Sequence, residues 1–131
     1  MASPLTALYL SFVSTITVIA REHTVKAKYQ LVLFWTYKAI EKGRTYLKAE
    51  IFWNVVLFIP VGILVSLFFS KRKAWIGIVI SLFLSCSIEL MQLLLHRGLF
   101  EFDDIIHNTA GAVTGFVLCL AARMIAGKVR A

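Results

Sequence analysis

The sequence predicts an all-α integral membrane protein, a helical bundle with four transmembrane helices and one amphipathic segment at the membrane interface. Hydrophobic residues make up 60% of the 131 residues and charged residues only 16%, whereas about a quarter of a soluble domain is charged. The apolar residues form long uncharged stretches, and most charged residues lie between them. The length fits a single domain, residues 1–131.

Four stretches reach or approach the roughly 20 apolar residues that a spanning helix needs. The first, 1–20, carries no charge before Arg21, and the second, 51–70, is uncharged throughout. The third covers about 74–95 and the fourth about 105–122. Pro60 and Gly62 interrupt the middle of the second stretch, which a bundle tolerates because neighbouring groups can satisfy the freed backbone.

A short apolar run at 29–40 lies within the more polar segment 21–50. The run is too short to span a membrane. Leu31, Phe34 and Trp35 would share one helical face, which predicts an amphipathic segment at the interface, with Trp35 and Tyr37 at headgroup level. A loop helix packed on the bundle is the alternative.

The basic residues predict the orientation. With four spans, the cluster Lys71, Arg72 and Lys73 lies on the same side as both termini, and so do Arg123, Lys128 and Arg130. The positive-inside rule makes that side cytoplasmic. The basic segment 21–50 would then lie outside, and we give it less weight because three glutamates dilute its charge.

Polar side chains inside the apolar stretches form two helical stripes. Steps of three and four residues connect the members of the first, Ser81, Ser85, Glu89, Gln92 and His96, and of the second, Asp104, Asn108, Gly111 and Gly115. The glycines of the second stripe would let a neighbouring helix approach closely. Antiparallel spans would place Asn54 at a similar depth to Glu89 and Asp104. Polar groups are costly inside a bilayer, so their convergence predicts a functional site.

The candidate ligand-binding residues are Asn54, Glu89, Gln92, Arg97, Asp103, Asp104 and Asn108. Glu89 is the hardest to explain as packing, because a buried carboxylate must find a partner or take up a proton. Glu89 and Asp104 are also the candidate catalytic groups. We expect Arg97 to reach at least one of these two carboxylates, directly or through water, so that the three charges form a coupled triad.

Each of these residues also has a structural explanation. Asp103 or Asp104 could cap the fourth helix, and Asn54 and Asn108 could bond between helices. Arg97 could extend to the interface. His96 and His107 do not share a spacing with enough further ligands for a metal site, so neither a metal nor a cofactor is predicted.

Two groups of residues resemble the signatures of VanZ-like membrane proteins. The first is Asn54, Phe58, Ile59, Pro60 and Gly62; the second is Glu89, Gln92, Arg97, Asp103, Asp104, Asn108, Thr109 and Gly111. The aromatic stretch 34–38 is also similar to one that follows the first helix in that family. The resemblance covers about 30–116 and implies a multi-pass protein of the bacterial plasma membrane with a link to teicoplanin resistance.

Two functions are compatible with these observations. The first is a non-enzymatic envelope protein whose outward-facing polar pocket binds a membrane lipid, a lipid-linked cell-wall precursor or a lipoglycopeptide. The second is an intramembrane enzyme acting on a lipid headgroup, with Glu89 or Asp104 as acid and base and Arg97 holding a phosphate. The scattered basic residues do not indicate nucleic-acid binding, and a homo-oligomer is left open.

The topology predicts that the loops at 72 and 99 lie on opposite sides of the membrane. In a variant without Cys86 and Cys119, single cysteines at these positions are labelled in intact cells with an impermeant reagent. We expect labelling at 99 and protection at 72. Labelling of both positions from outside would contradict four spans in this orientation.

Overall fold

The computed structural model describes residues 4–69 and 73–127, which form five helices and one small sheet. The helices are α1 (Pro4–Ser14), α2 (Trp35–Glu41), α3 (Leu47–Phe68), α4 (Ala74–Leu94) and α5 (Phe102–Ile125). A wider π-helical turn, Thr15–Ile19, continues α1. The two strands, β1 (Tyr29–Gln30) and β2 (Phe100–Glu101), pair in parallel. The fold is therefore mostly helical, as predicted, with a small sheet that the all-α prediction did not include.

Three helices are long and apolar enough to cross a membrane: Leu47–Phe68, Trp75–Leu94 and Phe102–Ile125. They correspond to the second, third and fourth predicted spans. Within the predicted first span, the structure describes a helix from Pro4 to Ile19, of which Ala7–Ile19 is a shorter apolar helix, and residues 1–3 of that prediction lie outside the described part. Lys71, Arg72, Lys128 and Arg130 also lie outside it. A fourth span and the orientation thus stay predictions.

The first helix packs into the bundle. Val13 and Val18 are buried against Phe58 of α3 and Ile88 of α4 in one hydrophobic cluster. The hydroxyl of Tyr9 donates to the carbonyl of Leu57 at 2.6 Å. These contacts fix the C-terminal end of α1 beside α3 and α4, where the polar residues lie.

Helices α3 and α5 approach each other backbone to backbone. A Cβ added to Gly111 or Gly115 would overlap the carbonyl oxygens of Val55 and Ile59, and one on Gly62 would overlap the carbonyl of Ala112. The predicted close approach at the glycine stripe of α5 is therefore confirmed, because only a hydrogen fits between these backbones. The contact aligns the beginnings of α3 and α5.

The segment between α1 and α2 lies along the connection between α4 and α5. The amide of Thr24 donates to the carbonyl of His96 at 2.7 Å, and the amide of Gly98 donates to Glu22 at 3.1 Å. The pairing of β1 with β2 follows directly. Two chain segments that are distant in sequence thus cover the same end of the bundle.

The predicted helical segment 29–40 is wrong in its first half. Residues 29–30 are a strand, and Phe34 has a left-handed backbone with φ of 60°, so the helix begins only at Trp35. Thr36 and Ala39 are buried on the bundle, which agrees with the packed loop helix that was the alternative. The apolar side chains at 31–34 are about half exposed, as expected for contact with an interface.

Replacement of Gly115 by Val should disrupt the α3–α5 contact. The added carbons meet the backbone of Ile59, which cannot move away without displacing α3, and overpacking of this kind costs about 1–3 kcal/mol. We expect a lower midpoint of unfolding in detergent. Ala110→Val on the exposed face of α5 is the control, and an equal loss in both variants would contradict the contact.

Candidate functional site

Polar residues converge at one end of the bundle, where α1 and α4 end and α3 and α5 begin. Six of the seven predicted ligand-binding residues are buried there: Asn54, Glu89, Gln92, Asp103, Asp104 and Asn108. The seventh, Arg97, is half-buried. The structure thus brings together the residues that helical spacing placed at one depth, although several have different partners from those expected.

Gln92 and Arg97 bind the end of the first helix. The last carbonyls of a helix have no partner within it, and here the amide of Gln92 donates to the carbonyl of Thr17 at 2.7 Å. The guanidinium of Arg97 donates to the carbonyls of Ile19, at 2.5 Å, and Arg21, at 3.3 Å. Both side chains therefore cap α1 and hold it against α4.

The expected triad of Arg97 with Glu89 and Asp104 is wrong as a set of direct contacts. Arg21 takes the place of Arg97, with its guanidinium 3.7 Å from the carboxylate of Asp104. The reason is that the loop after α4 turns back toward α1, through a left-handed His96 and Gly98, and leaves Arg97 over the carbonyls. Arg21 begins the loop after α1 and reaches inward instead.

A cluster of four carboxylates surrounds Arg21. Asp104 is its ion-pair partner, and Glu50, Glu89 and Glu101 lie within electrostatic range of both Arg21 and Asp104. Sequence reasoning included Glu89 and Asp104 but treated Arg21 as the end of a span and did not select Glu50. A usable signal was present, since both are the charged residues nearest the predicted membrane boundary at this end.

Glu101 connects this cluster to the surface segment. Its amide donates to the carboxylate of Glu89 at 3.0 Å, and its own carboxylate accepts the indole N–H of Trp35 at 2.9 Å. Burial, and next the negative charge of Asp104, raise the pKa of Glu101 to about 8. The side chain is therefore mostly protonated at neutral pH and can exchange a proton near physiological pH.

Asp103 anchors α2. Its carboxylate accepts the amide of Phe34 at 2.6 Å and the amide of Thr36 at 2.9 Å. The carboxylate thus caps α2 and not its own helix, the role that was the alternative for Asp103. It also satisfies the amide of the left-handed Phe34.

Asp104 continues into a second polar chain. Nδ1 of His107 lies 4.0 Å from the carboxylate of Asp104, and Nε2 is 2.9 Å from the hydroxyl of Tyr37. His107 is buried and its Nδ1 has no hydrogen-bond partner among the described residues. His107 therefore hydrogen-bonds to Tyr37 of α2 on one side and lies near the carboxylate that faces Arg21 on the other.

The two asparagines differ in how their amides are satisfied. Asn108 donates to the hydroxyl of Ser85 at 3.0 Å, which joins α5 to α4. The amide nitrogen of Asn54 is buried and has no acceptor within the described part of the chain. Buried polar groups are nearly always paired, so the amide nitrogen of Asn54 is available to donate to a bound ligand.

Two clefts open beside the cluster, and both are lined by Arg21 and Glu50. The first, of about 260 Å³, is polar and includes Glu101, Trp35 and Tyr46 in its walls. The second, of about 560 Å³, is mostly apolar and is lined by Phe12, Ile16, Thr17, Trp53, Asn54 and Leu57. A polar and an apolar compartment thus meet at one Arg–Glu boundary.

The chemistry of this end is set by carboxylates, one guanidinium and amides. In the described ranges, 4–69 and 73–127, no group of three His, Cys, Asp or Glu side chains has a geometry that could hold a metal ion. The arrangement can bind a polar group and can exchange a proton through Glu101.

Comparison with known proteins identifies the chain. The VanZ/LLP1 family model matches residues 4–124. The chain belongs to the VanZ/LLP1 family. The match begins at the first residue of α1 and ends one residue before the end of α5. Comparison with curated proteins and with solved structures gave no match.

The high pKa of Glu101 predicts a pH-dependent stability. In the unfolded chain this carboxyl ionises near its ordinary pKa of 4.5, whereas in the fold it stays protonated up to about 8. Between these values the unfolded state binds fewer protons, so stability falls as pH rises, by up to about 1.4 kcal/mol per pH unit. Glu101→Gln keeps an acceptor for Trp35 and should flatten this decline.

The measurement is the unfolding midpoint in detergent from pH 5 to pH 9 for both proteins. Glu41→Gln, on the exposed end of α2, is the control and should follow the wild-type curve. Parallel curves for wild type and Glu101→Gln would contradict a protonated Glu101.

Proposed function

We propose that this VanZ/LLP1 protein binds a lipid-linked cell-envelope component or a lipoglycopeptide in its polar pocket, and that this binding contributes to teicoplanin-type resistance. In this proposal the protein has four spans, lies in the bacterial plasma membrane with cytoplasmic termini, and presents the pocket to the outside. Membership of the family and the three spanning-length helices support the membrane assignment.

The observation that carries the proposal is the meeting of the two clefts at Arg21 and Glu50. A lipid-linked molecule has a polar head and a long apolar chain, and it needs one compartment for each. The polar cleft supplies charged and aromatic groups, and the apolar cleft runs between α1 and α3, whose outer side chains Phe12 and Trp53 are exposed. The buried carboxylates beneath the boundary would then fix the head.

The second candidate is an intramembrane enzyme acting on a lipid headgroup, with Glu89 or Asp104 as acid and base. The raised pKa of Glu101, whose backbone amide donates to Glu89, favours it. Arg97 is less suited to hold a phosphate than the earlier hypothesis required, because its guanidinium is bonded to carbonyls. Arg21 would take that role in such an enzyme.

Glu89→Gln tests whether the carboxylate cluster has a function or only stabilises the fold. Gln keeps an oxygen that can accept the amide of Glu101, so the variant should fold and insert at wild-type abundance. It removes the charge, and we expect teicoplanin susceptibility to rise to the level of cells that lack the protein.

Ser81→Ala on the same helix is the matched control, because among the described residues that hydroxyl bonds only to the carbonyl of Gly77 in its own helix, so its loss should be silent. Equal susceptibility of wild type and Glu89→Gln at equal expression would contradict the proposal. Mass spectrometry of lipids and cell-wall precursors in the same strains separates the candidates, since only an enzyme changes the structure of one of them.

A further inference from the structure

Arg21 is a cation with unused hydrogen-bonding capacity. A guanidinium has five N–H donors, yet the one polar contact recorded for this side chain within the described residues is the 3.7 Å approach to Asp104. Its side chain is 29% exposed and lines both clefts. Arg97, by comparison, donates hydrogen bonds to two backbone carbonyls. Arg21 can therefore accept an anionic group from a ligand.

Among the described residues, Asn54 is a second side chain with unused hydrogen-bonding capacity, and it lines the apolar cleft. Its side chain is only 6% exposed, and its amide nitrogen has no acceptor among the described residues. It shares the walls of this cleft with Arg21. Two donors that lack acceptors thus line one compartment, and an oxygen-rich anion such as a phosphodiester would satisfy both.

The polar cleft, in contrast, favours a cationic group. Glu50 and Glu101 line it together with the aromatic rings of Trp35 and Tyr46. Glu22 and Lys28 are both exposed at its edge and carry opposite charges, so they do not change the balance. Carboxylates beside aromatic rings favour a cationic group, through ion pairing and through attraction to the ring faces.

We propose that the site binds a zwitterionic phospholipid of the phosphatidylethanolamine type. The phosphodiester lies on Arg21 and Asn54, and the ammonium lies in the polar cleft on Glu50 and Glu101. One acyl chain follows the apolar wall formed by Phe12, Ile16 and Leu57. This assignment rests on the proposed function, since it names the class of headgroup that the same pocket recognises.

The charge balance distinguishes this lipid from an anionic one. Arg21 already faces Asp104, and Glu50 lies within electrostatic range of both, so a phosphate without a cation next to it would add uncompensated negative charge. A headgroup that carries its own ammonium places that charge where the carboxylates are and leaves the phosphate to Arg21.

The experiment is native mass spectrometry of the full-length protein in detergent, titrated with lipids that have identical acyl chains. Phosphatidylethanolamine carries both charges, phosphatidylglycerol carries only the phosphate, and diacylglycerol carries neither. We expect phosphatidylethanolamine to bind about tenfold more tightly than phosphatidylglycerol, the ratio that one well-placed ion pair of about 1.4 kcal/mol provides. Soluble glycerophosphoethanolamine, which has the head without chains, should bind at least tenfold more weakly than the lipid.

Two variants assign the charges. Glu50→Gln should remove the preference for phosphatidylethanolamine over phosphatidylglycerol, and Arg21→Gln should weaken both lipids by a similar factor, because both lose the contact of the phosphodiester with the guanidinium. Glu41→Gln is the control and should bind as wild type. If Arg21→Gln does not fold, the comparison of Glu50→Gln with Glu41→Gln alone decides, because the side chain of Glu50 makes no hydrogen bond within the described ranges that the substitution would remove.

Equal or tighter binding of phosphatidylglycerol by the wild type would overturn the inference, as would an unchanged preference in Glu50→Gln. Equal binding of the soluble headgroup would overturn the assignment to a lipid. These outcomes leave the teicoplanin phenotype of Glu89→Gln untouched, so the inference and the proposed function fail separately.

Discussion

Burial of several carboxylates around one guanidinium is the constraint on which the rest of this structure depends. An ion taken out of water needs compensation by partners, and here each partner comes from a different part of the chain. Arg21 comes from the loop after α1 and faces Asp104, the amide that binds Glu89 comes from the end of β2, just before α5, and the indole that binds Glu101 comes from α2. Satisfying the acids therefore joins the helices to the segments that cover them.

The apolar side of the bundle makes that arrangement possible. The glycine contacts bring the backbones of α3 and α5 together. Asn54 and Glu50 near the beginning of α3 therefore lie at the same end as Asp104 and Asn108 near the beginning of α5. A wider separation would move the two clefts away from the carboxylates. The packing of Val13 and Val18 likewise positions α1, because it brings the loop with Arg21 over the carboxylate cluster.

Sequence reasoning recovered what depends on helical period and chain order. The spans at 51–70, 74–95 and 105–122, the convergence of Glu89 with Asp104 and the close approach at Gly111 follow from spacing alone, and the structure agrees with them. The choice between Arg21 and Arg97 could not be made that way, because both flank spans at the same end and only the backbone of the 95–101 connection decides which one turns inward. The strand at 29–30 was missed for a related reason: its partner lies some 70 residues away, and no local pattern encodes that pairing.

Asp103 and Asp104 are adjacent on the first turn of α5 but have different partners. Asp103 accepts hydrogen bonds from two amides at the start of α2, whereas Asp104 faces Arg21. One helical turn thus makes both contacts. A rotation of α5 that lifts Asp104 from Arg21 also pulls on the amides of Phe34 and Thr36. A displacement of this turn would therefore change the contact with Arg21 and the contacts with the surface helix α2 together.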